Sequence, residues 1–495
     1  MDNLDLLVHA LVITMFSIMF SATLTMVGGL NIVSELGGSL DIAVYSVSFY
    51  FIGNALTIPL GKPGIVRPII LLLMCLIGFV FFTYCCAYAT NFAVFIGLRV
   101  LQGSACGQLF LLIPTLLNSI NKRIQINMLC FIVAPLLGAA VGGSVSFMYH
   151  WQWLYLCIAS VLLIVCIYFI FAIPELQKIA THTAGSVNVV DYILYCIGIL
   201  STAGALVTGQ EFDWLRSPWT TRLLILGSIS CVVFIIKTSI SKHQLLDLRL
   251  FKDINVSCGL MQMLVLFPAY FCSIVILSSW LYANVEYTPN WIALLIIVMV
   301  LGVGIQLIAW FKYIGPHLLS IIALLCFTIS CAYVSKFNWE IDFPHLLISR
   351  IIILPVLPLF IVSILQFIQY KQNDQQLIEC MALFNVLRSL ACALGVGLYH
   401  ILWERREVFY HQRLGGNLTD LSEITRQFIV NAHNFYIPPA HILAQLNAFL
   451  DNQSAALAAA DCFYLFAWLM VIPLTIVFIH YLISYYNRSR LLPTM

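Results

Sequence analysis

Residues 134–153 read APLLGAAVGGSVSFMYHWQW, and the fold follows from how this stretch is placed. Pro135 stands in an apolar run, Gly138, Gly142 and Gly143 follow it, and the run closes on His150, Trp151 and Trp153. In lipid such a run is a helix built for close contact. Small residues at i and i+4, here Gly138 and Gly142, let a second backbone approach, and proline is tolerated where neighbouring helices satisfy the carbonyl it frees. The glycines alone are equally consistent with an ordinary packing face in any membrane bundle.

Composition places the helix in a membrane. Hydrophobic residues make up 62% of the chain and charged residues 9%, against roughly 45–50% and about 25% in soluble domains. The formal net charge is +2, which gives no basis for a nucleic-acid partner. The opening MDNLDLLVHALVITMFSIMF lacks a basic n-region and a small-residue cleavage site, so it reads as an uncleaved first span. Most cysteines lie inside apolar runs, as small polarizable packing residues do. No Cys or His spacing suits a metal, and no cofactor is expected.

A spanning helix needs about 20 apolar residues, and hydropathy marks about fourteen such runs. The expected fold is an all-α polytopic membrane protein: a six-helix bundle over 1–173, a linker with two inserted transmembrane helices over 174–253, and a second six-helix bundle over 254–495. Basic residues set the orientation. Lys62, Arg67, Lys122, Arg123, Lys178, Lys237, Arg249, Lys312 and Lys371 fall in alternate loops, so both termini are expected on the cytoplasmic side. One outer connection, 404–458, is far longer than the others and helix-compatible, which suggests a small external cap. Its His411, His433 and His441 have no metal-binding spacing.

Ionisable groups inside spans cost at least about 2.5–3.5 kcal/mol on insertion scales, so each is a functional candidate. Arg99 lies in LRVLQGSACG, with Gln102 one turn later, and Arg388 lies in LFNVLRSLACALGVG, with Asn385 one turn earlier. Arginine does not release its proton. Both therefore fit charge-organising roles in a substrate cavity, with Gln102 and Asn385 as hydrogen-bonding neighbours. Arg350 and Glu379 fall nearer helix ends, where long side chains reach the interface.

These phrases, taken in order, resemble the fourteen-helix drug:proton antiporter family of the major facilitator superfamily, which includes the inner-membrane pumps of bacterial tripartite multidrug exporters. Its fourth-helix motif matches Arg99, Gln102, Gly103 and Gly107, and its fifth-helix antiporter motif matches Ala134, Pro135, Gly138, Gly142 and Gly143. EFDWLRS, LLDLRLFKDIN and REVFYHQRL follow in register. The resemblance implies a rocker-type bundle exporting an amphipathic compound in exchange for protons, with the glycine-rich helix biasing the outer gate. It also implies a bacterial inner-membrane location and a periplasmic membrane-fusion adaptor as partner, besides the small-molecule substrate and the lipid bilayer.

Two departures bear on coupling. Ser21 stands where the family carries a first-helix aspartate, and the loop after the second helix is reduced to LGKPGIVRP, in which Gly61, Lys62, Gly64 and Arg67 remain as an inner-loop latch without its acid. Glu379 then becomes the leading proton-coupling candidate. His9, with an unperturbed pKa of about 6.5, is the second. The readings left open are an exporter, a dedicated metabolite or siderophore carrier working in either direction, and a non-transporting sensor. No span pairs a nucleophile with a base, so an enzyme is not expected.

Overall fold

Prolines and polar caps set where the helices begin. Pro68, Pro218, Pro289, Pro316 and Pro439 occupy first turns, where a missing N–H leaves no bond unmade and φ is already helical. Asn91, Asn188 and Asp253 are N-caps whose side chains accept from the N–H groups of Val94, Val190 and Asn255. Asn373 and Gln376 form a capping box.

A computed structural model describes all residues except 1–2, 63–66, 122–123, 175–187, 242–243, 306–313, 370–372, 417, 419–422, 435–437 and 492–495. Among the described residues there are nineteen α-helices. The first eight are α1 (Asn3–Thr23), α2 (Thr25–Glu35), α3 (Tyr45–Thr57), α4 (Pro68–Ala87), α5 (Phe92–Cys106), α6 (Leu109–Asn121), α7 (Ile124–Met148) and α8 (Gln152–Phe171). A hairpin of α9 (Val189–Val207) and α10 (Pro218–Ile240) follows. The rest are α11 (Ile254–Ala283), α12 (Pro289–Val300), α13 (Pro316–Val334), α14 (Phe343–Ile353), α15 (Val356–Gln369), α16 (Asp374–Gly415), α17 (Glu423–Asn434), α18 (Pro439–Leu469) and α19 (Val471–Leu491).

Thirteen helical segments are long and apolar enough to cross a bilayer, and Pro289–Ile305 is a shorter apolar helix. The sequence reading of about fourteen spans differs by this one, which stops next to 306–313, outside the described residues. The all-helical membrane architecture is as expected. The 404–458 connection is also largely helical: α16 runs 42 residues, roughly 60 Å at the α-helical rise, about twice the hydrocarbon thickness. It therefore continues beyond the membrane and packs against α18, where His411 Nε2 lies 3.0 Å from Asp451 Oδ1.

Several spans are interrupted, and three of the interruptions position the functional groups. The first span breaks at Leu24 between α1 and α2, the fourth at Gly107 and Gln108 between α5 and α6, and the twelfth at Leu354 and Pro355 between α14 and α15. Helix α7 packs on α1 and α2 on one side and on α12 on the other. Helix α16 packs on α3, α11 and α18. The early and late helices thus meet along two seams, α7 against α12 and α3 against α16. At the second, Ser48 Oγ donates to Ala393 O at 2.9 Å. The inserted α9 leans on both α3 and α16, and its Tyr195 hydroxyl donates to Ala55 O at 2.7 Å. Ile254–Ala283 is the most enclosed span and Pro218–Ile240 the least, which puts α11 at the centre and the hairpin at the lipid-facing rim.

Candidate substrate cavity and gates

The break in the first span is held from two directions. Breaking a helix leaves its last carbonyls without intrahelical donors, and Arg99, fully buried, supplies replacements: Nη1 donates to Ser21 O at 3.1 Å and Nη2 to Ala22 O at 3.0 Å, while Nε donates to Ser46 O of α3 at 3.2 Å. Nη1 also donates to Gln102 Oε1 at 2.7 Å, and the guanidinium carbon lies 4.4 Å from the Tyr50 ring centroid. Gln102 in turn donates to Ser21 Oγ at 3.0 Å and Thr83 Oγ1 at 2.8 Å. Ser21 is therefore one node of an arginine-centred network tying α1, α3, α4 and α5.

From the other direction comes α7. A Cβ added to Gly138 would lie 2.3 Å from Phe20 O, and one added to Gly142 would lie 2.1 Å from Leu24 O. Only glycine permits backbones this close. Thr23 Oγ1 donates to Pro135 O at 2.7 Å and fixes the register. Gly143 turns towards Val27 and, beyond it, Pro289 of α12. Gly103 and Gly107 make the same kind of contact within the early helices, against Tyr50 O and Asn54 O of α3, and Gly61 lies against Gln108 O at the break in the fourth span.

Between the early and late helices lies a small cavity, with about 20 Å³ open to the centre of a water-sized sphere. That is room for one or two waters, so an organic cargo needs the helices on either side to separate. Its walls include Met19, Phe51 and Phe131 from the early helices and Phe267, Phe384 and Arg388 from the late ones. Among the described lining residues Arg388 is the sole charge. It is 4% exposed, its Nε and Nη2 have no hydrogen-bond partner among the described residues, and its Nη1 lies 3.9 Å from Met19 Sδ. The guanidinium carbon sits 4.8 Å and 5.0 Å from the Phe110 and Phe131 ring centroids.

Both ends of the cavity are tied across the seam. At one end Lys62 Nζ lies 2.5 Å from Glu379 Oε2 of α16 and donates to Leu245 O at 2.6 Å. At the other, the Tyr282 hydroxyl of α11 donates to Asn31 Oδ1 of α2 at 3.1 Å. This second end also carries the long connection, since Asn284 Nδ2 reaches Asn452 Oδ1 at 3.3 Å. Among the described residues each end of the seam thus carries a polar tie between early and late helices.

These positions redistribute the candidates read from the sequence. Arg99 and Gln102 brace the early helices and do not line the cavity, because the broken first span draws the guanidinium to its freed carbonyls. Asn385 is buried, donates from Nδ2 to Met381 O at 2.9 Å and stands beside the cavity wall. Glu379 does not line the cavity; it pairs with Lys62 across the seam, so the latch residue and the coupling candidate are partners. His9 points to the outside of the bundle and bonds Asp5 O of its own helix. Arg67 is exposed and Gly64 lies outside the described residues. Arg350 does not reach the interface; it is 2% exposed and Nε donates to Ser349 Oγ at 3.2 Å. Phe110, Phe131, Tyr282 and Asn31 were not singled out in the sequence. Phe110 and Phe131 look like any other core aromatic, and no local pattern marks Tyr282 or Asn31.

The comparisons with known proteins agree with this architecture. The chain is 24% identical to the multidrug export protein EmrB of Haemophilus influenzae over 94% of this chain and 93% of the relative. It is 25% identical to the fatty acid resistance protein FarB of Neisseria gonorrhoeae, with 90% of each covered. Its fold matches the crystal structure of a POT family transporter in complex with a thioalcohol-conjugated peptide, with a TM-score of 0.65 at 11% identity, covering 97% of this chain and 96% of that one. These likenesses point to a membrane transporter. With the model of the Major Facilitator Superfamily matching residues 10–339, the chain belongs to that superfamily.

Proposed function

We propose that the chain exports a small amphipathic organic compound across a bacterial inner membrane, driven by an existing ion gradient. The observation that carries this reading is the small, largely apolar cavity between two sets of helices, with one tie towards each end. In this reading 1–173 and 254–495 move as two bodies joined by 174–253, and the Lys62 end faces the cytoplasm along with both termini. Lys62 with Glu379 forms the inner gate, Asn31 with Tyr282 the outer one, and the α7 glycines the surface on which the broken first span turns. Moving such a pair of states from 1:99 to 99:1 takes about 5.5 kcal/mol of differential binding, which cargo and gradient together have to supply. The helices of 404–458 stand on the periplasmic side, where a membrane-fusion adaptor would dock. The names of the relatives, multidrug export and fatty acid resistance, support outward transport, and a dedicated metabolite carrier remains the second reading.

The test is uptake of fluorescent amphipaths by inverted membrane vesicles holding the protein. Energised vesicles are expected to accumulate at least one probe above the level of vesicles without the protein, and dissipating both the pH gradient and the membrane potential is expected to abolish the difference. A panel of cationic, neutral and anionic probes, none of which accumulates, contradicts the proposal.

A further inference from the structure

The unpartnered guanidinium in the cavity carries a consequence for cargo and driving force. A buried charge is ordinarily neutralised or hydrogen-bonded, because desolvation without compensation is costly. Arg388 is more than nine-tenths buried, faces the cavity, and has two nitrogens without acceptors among the described residues. Its contacts among them include the thioether of Met19 and the faces of Phe110 and Phe131. Ring faces attract a cation but accept no conventional hydrogen bond from Nε and Nη2. A guanidinium presents a planar fork that matches a carboxylate or a sulfonate with two parallel bonds. The walls around it, Phe51, Phe131, Phe267 and Phe384 among them, suit an apolar body.

Resting on the transport reading above, we propose that the cargo is an amphipathic monoanion whose charged group is held by Arg388 and whose outward movement is driven by the membrane potential acting on the cargo's own charge. No Asp, Glu or His is among the described residues lining the cavity, and Ser21, at the place of the family's acid, is bound into the Arg99 network. Among the described residues the cavity lining therefore offers no proton carrier. It needs none for this cargo: an inside-negative potential favours an anion outside by about fifty-fold per 100 mV. One negative charge leaves per turnover, and no proton returns in exchange. Arg388 serves as the counter-charge that lets the anion cross an apolar region. A cation would meet a like charge at close range.

The test uses proteoliposomes loaded with a naphthylalkyl sulfonate, an anion at every accessible pH, and a matched set loaded with the naphthylalkyl trimethylammonium. With pH equal on both sides, an inside-negative potassium diffusion potential is expected to speed sulfonate efflux about tenfold or more over zero potential. Arg388→Met is expected to reduce it to the leak of protein-free vesicles while melting at an equal or higher temperature, since an uncompensated buried charge is removed. Arg388→Lys, which keeps the charge without the fork, is expected to retain part of the flux. Sulfonate flux that ignores potential, flux that requires a pH gradient, or full flux in Arg388→Met overturns the proposal. Movement of the trimethylammonium probe by the unmodified protein overturns it while leaving the transport reading standing. Failure of both probes under every gradient overturns both.

Discussion

Gly142→Val is expected to abolish transport and to lower the melting temperature. The added Cβ meets Leu24 O at 2.1 Å and the Leu24 carbonyl carbon at 2.8 Å, so it meets backbone on a helix that is already broken there. A flexible side chain would move aside at small cost, whereas backbone on this scale does not. Overpacking of this kind costs about 1–3 kcal/mol where the core yields, and each ~1.4 kcal/mol set against one conformation lowers its population tenfold. Transport is therefore expected to fall by about tenfold or more even in the fraction that folds. Gly142→Ala should show a smaller loss in the same direction. Gly97→Ala, on the same class of span but with open space around its Cβ position, should leave flux and melting temperature unchanged. Flux in reconstituted vesicles and melting in detergent separate the two effects. Normal flux in Gly142→Val would mean that α7 does not rest on the broken span during transport.

Arg99→Ala is expected to have the largest effect on stability. The substitution leaves the carbonyls of Ser21, Ala22 and Ser46 and the Gln102 amide oxygen without their buried donors. Stranding buried acceptors costs about 1–3 kcal/mol apiece where no water reaches them, although partial collapse of the site makes the sum smaller than the parts. Little folded protein is expected. Arg99→Lys keeps the charge, but a compact ammonium does not span acceptors on two helices, so it should fold with a clearly lower melting temperature. Gln102→Ala, which loses the bonds to Ser21 Oγ and Thr83 Oγ1, should lie between the two. An Arg99→Ala protein that melts like the unmodified chain would show that the network is incidental to holding the break.

The membrane class, the all-helical architecture and the identity of the glycine-rich contact helix were legible because each rests on local signals: apolar run length, loop charge and small residues one turn apart. The contacts that decide the site are of another kind. Lys62 and Glu379 are 317 positions apart in sequence, and nothing in either neighbourhood names the other. Arg99 and Arg388 looked alike in the sequence, each an arginine with an amide one turn away. They separate in the structure because one sits beside freed carbonyls of the broken first span and the other beside aromatic rings and no acceptor. Arg350 was readable in principle. It lies seven residues after Phe343 in α14 as Arg99 lies seven after Phe92 in α5, and both helices precede a break. That internal repeat marks it as an interior residue of the later helices rather than an interfacial one.

The central claim is that the early and late helices rock about this cavity, opening one end as the other shuts. Paired spin labels, introduced as noncanonical amino acids, test it directly: Arg67 with Gln375 at the Lys62 end, Ser34 with Thr288 at the opposite end, all exposed positions. Replacing Glu379 by Gln removes the charge that Lys62 holds across the seam. The account predicts that the distance between the first pair lengthens in this variant while that between the second pair shortens or stays at its closed value. Distances that lengthen at both ends together, or that ignore the substitution altogether, would contradict it.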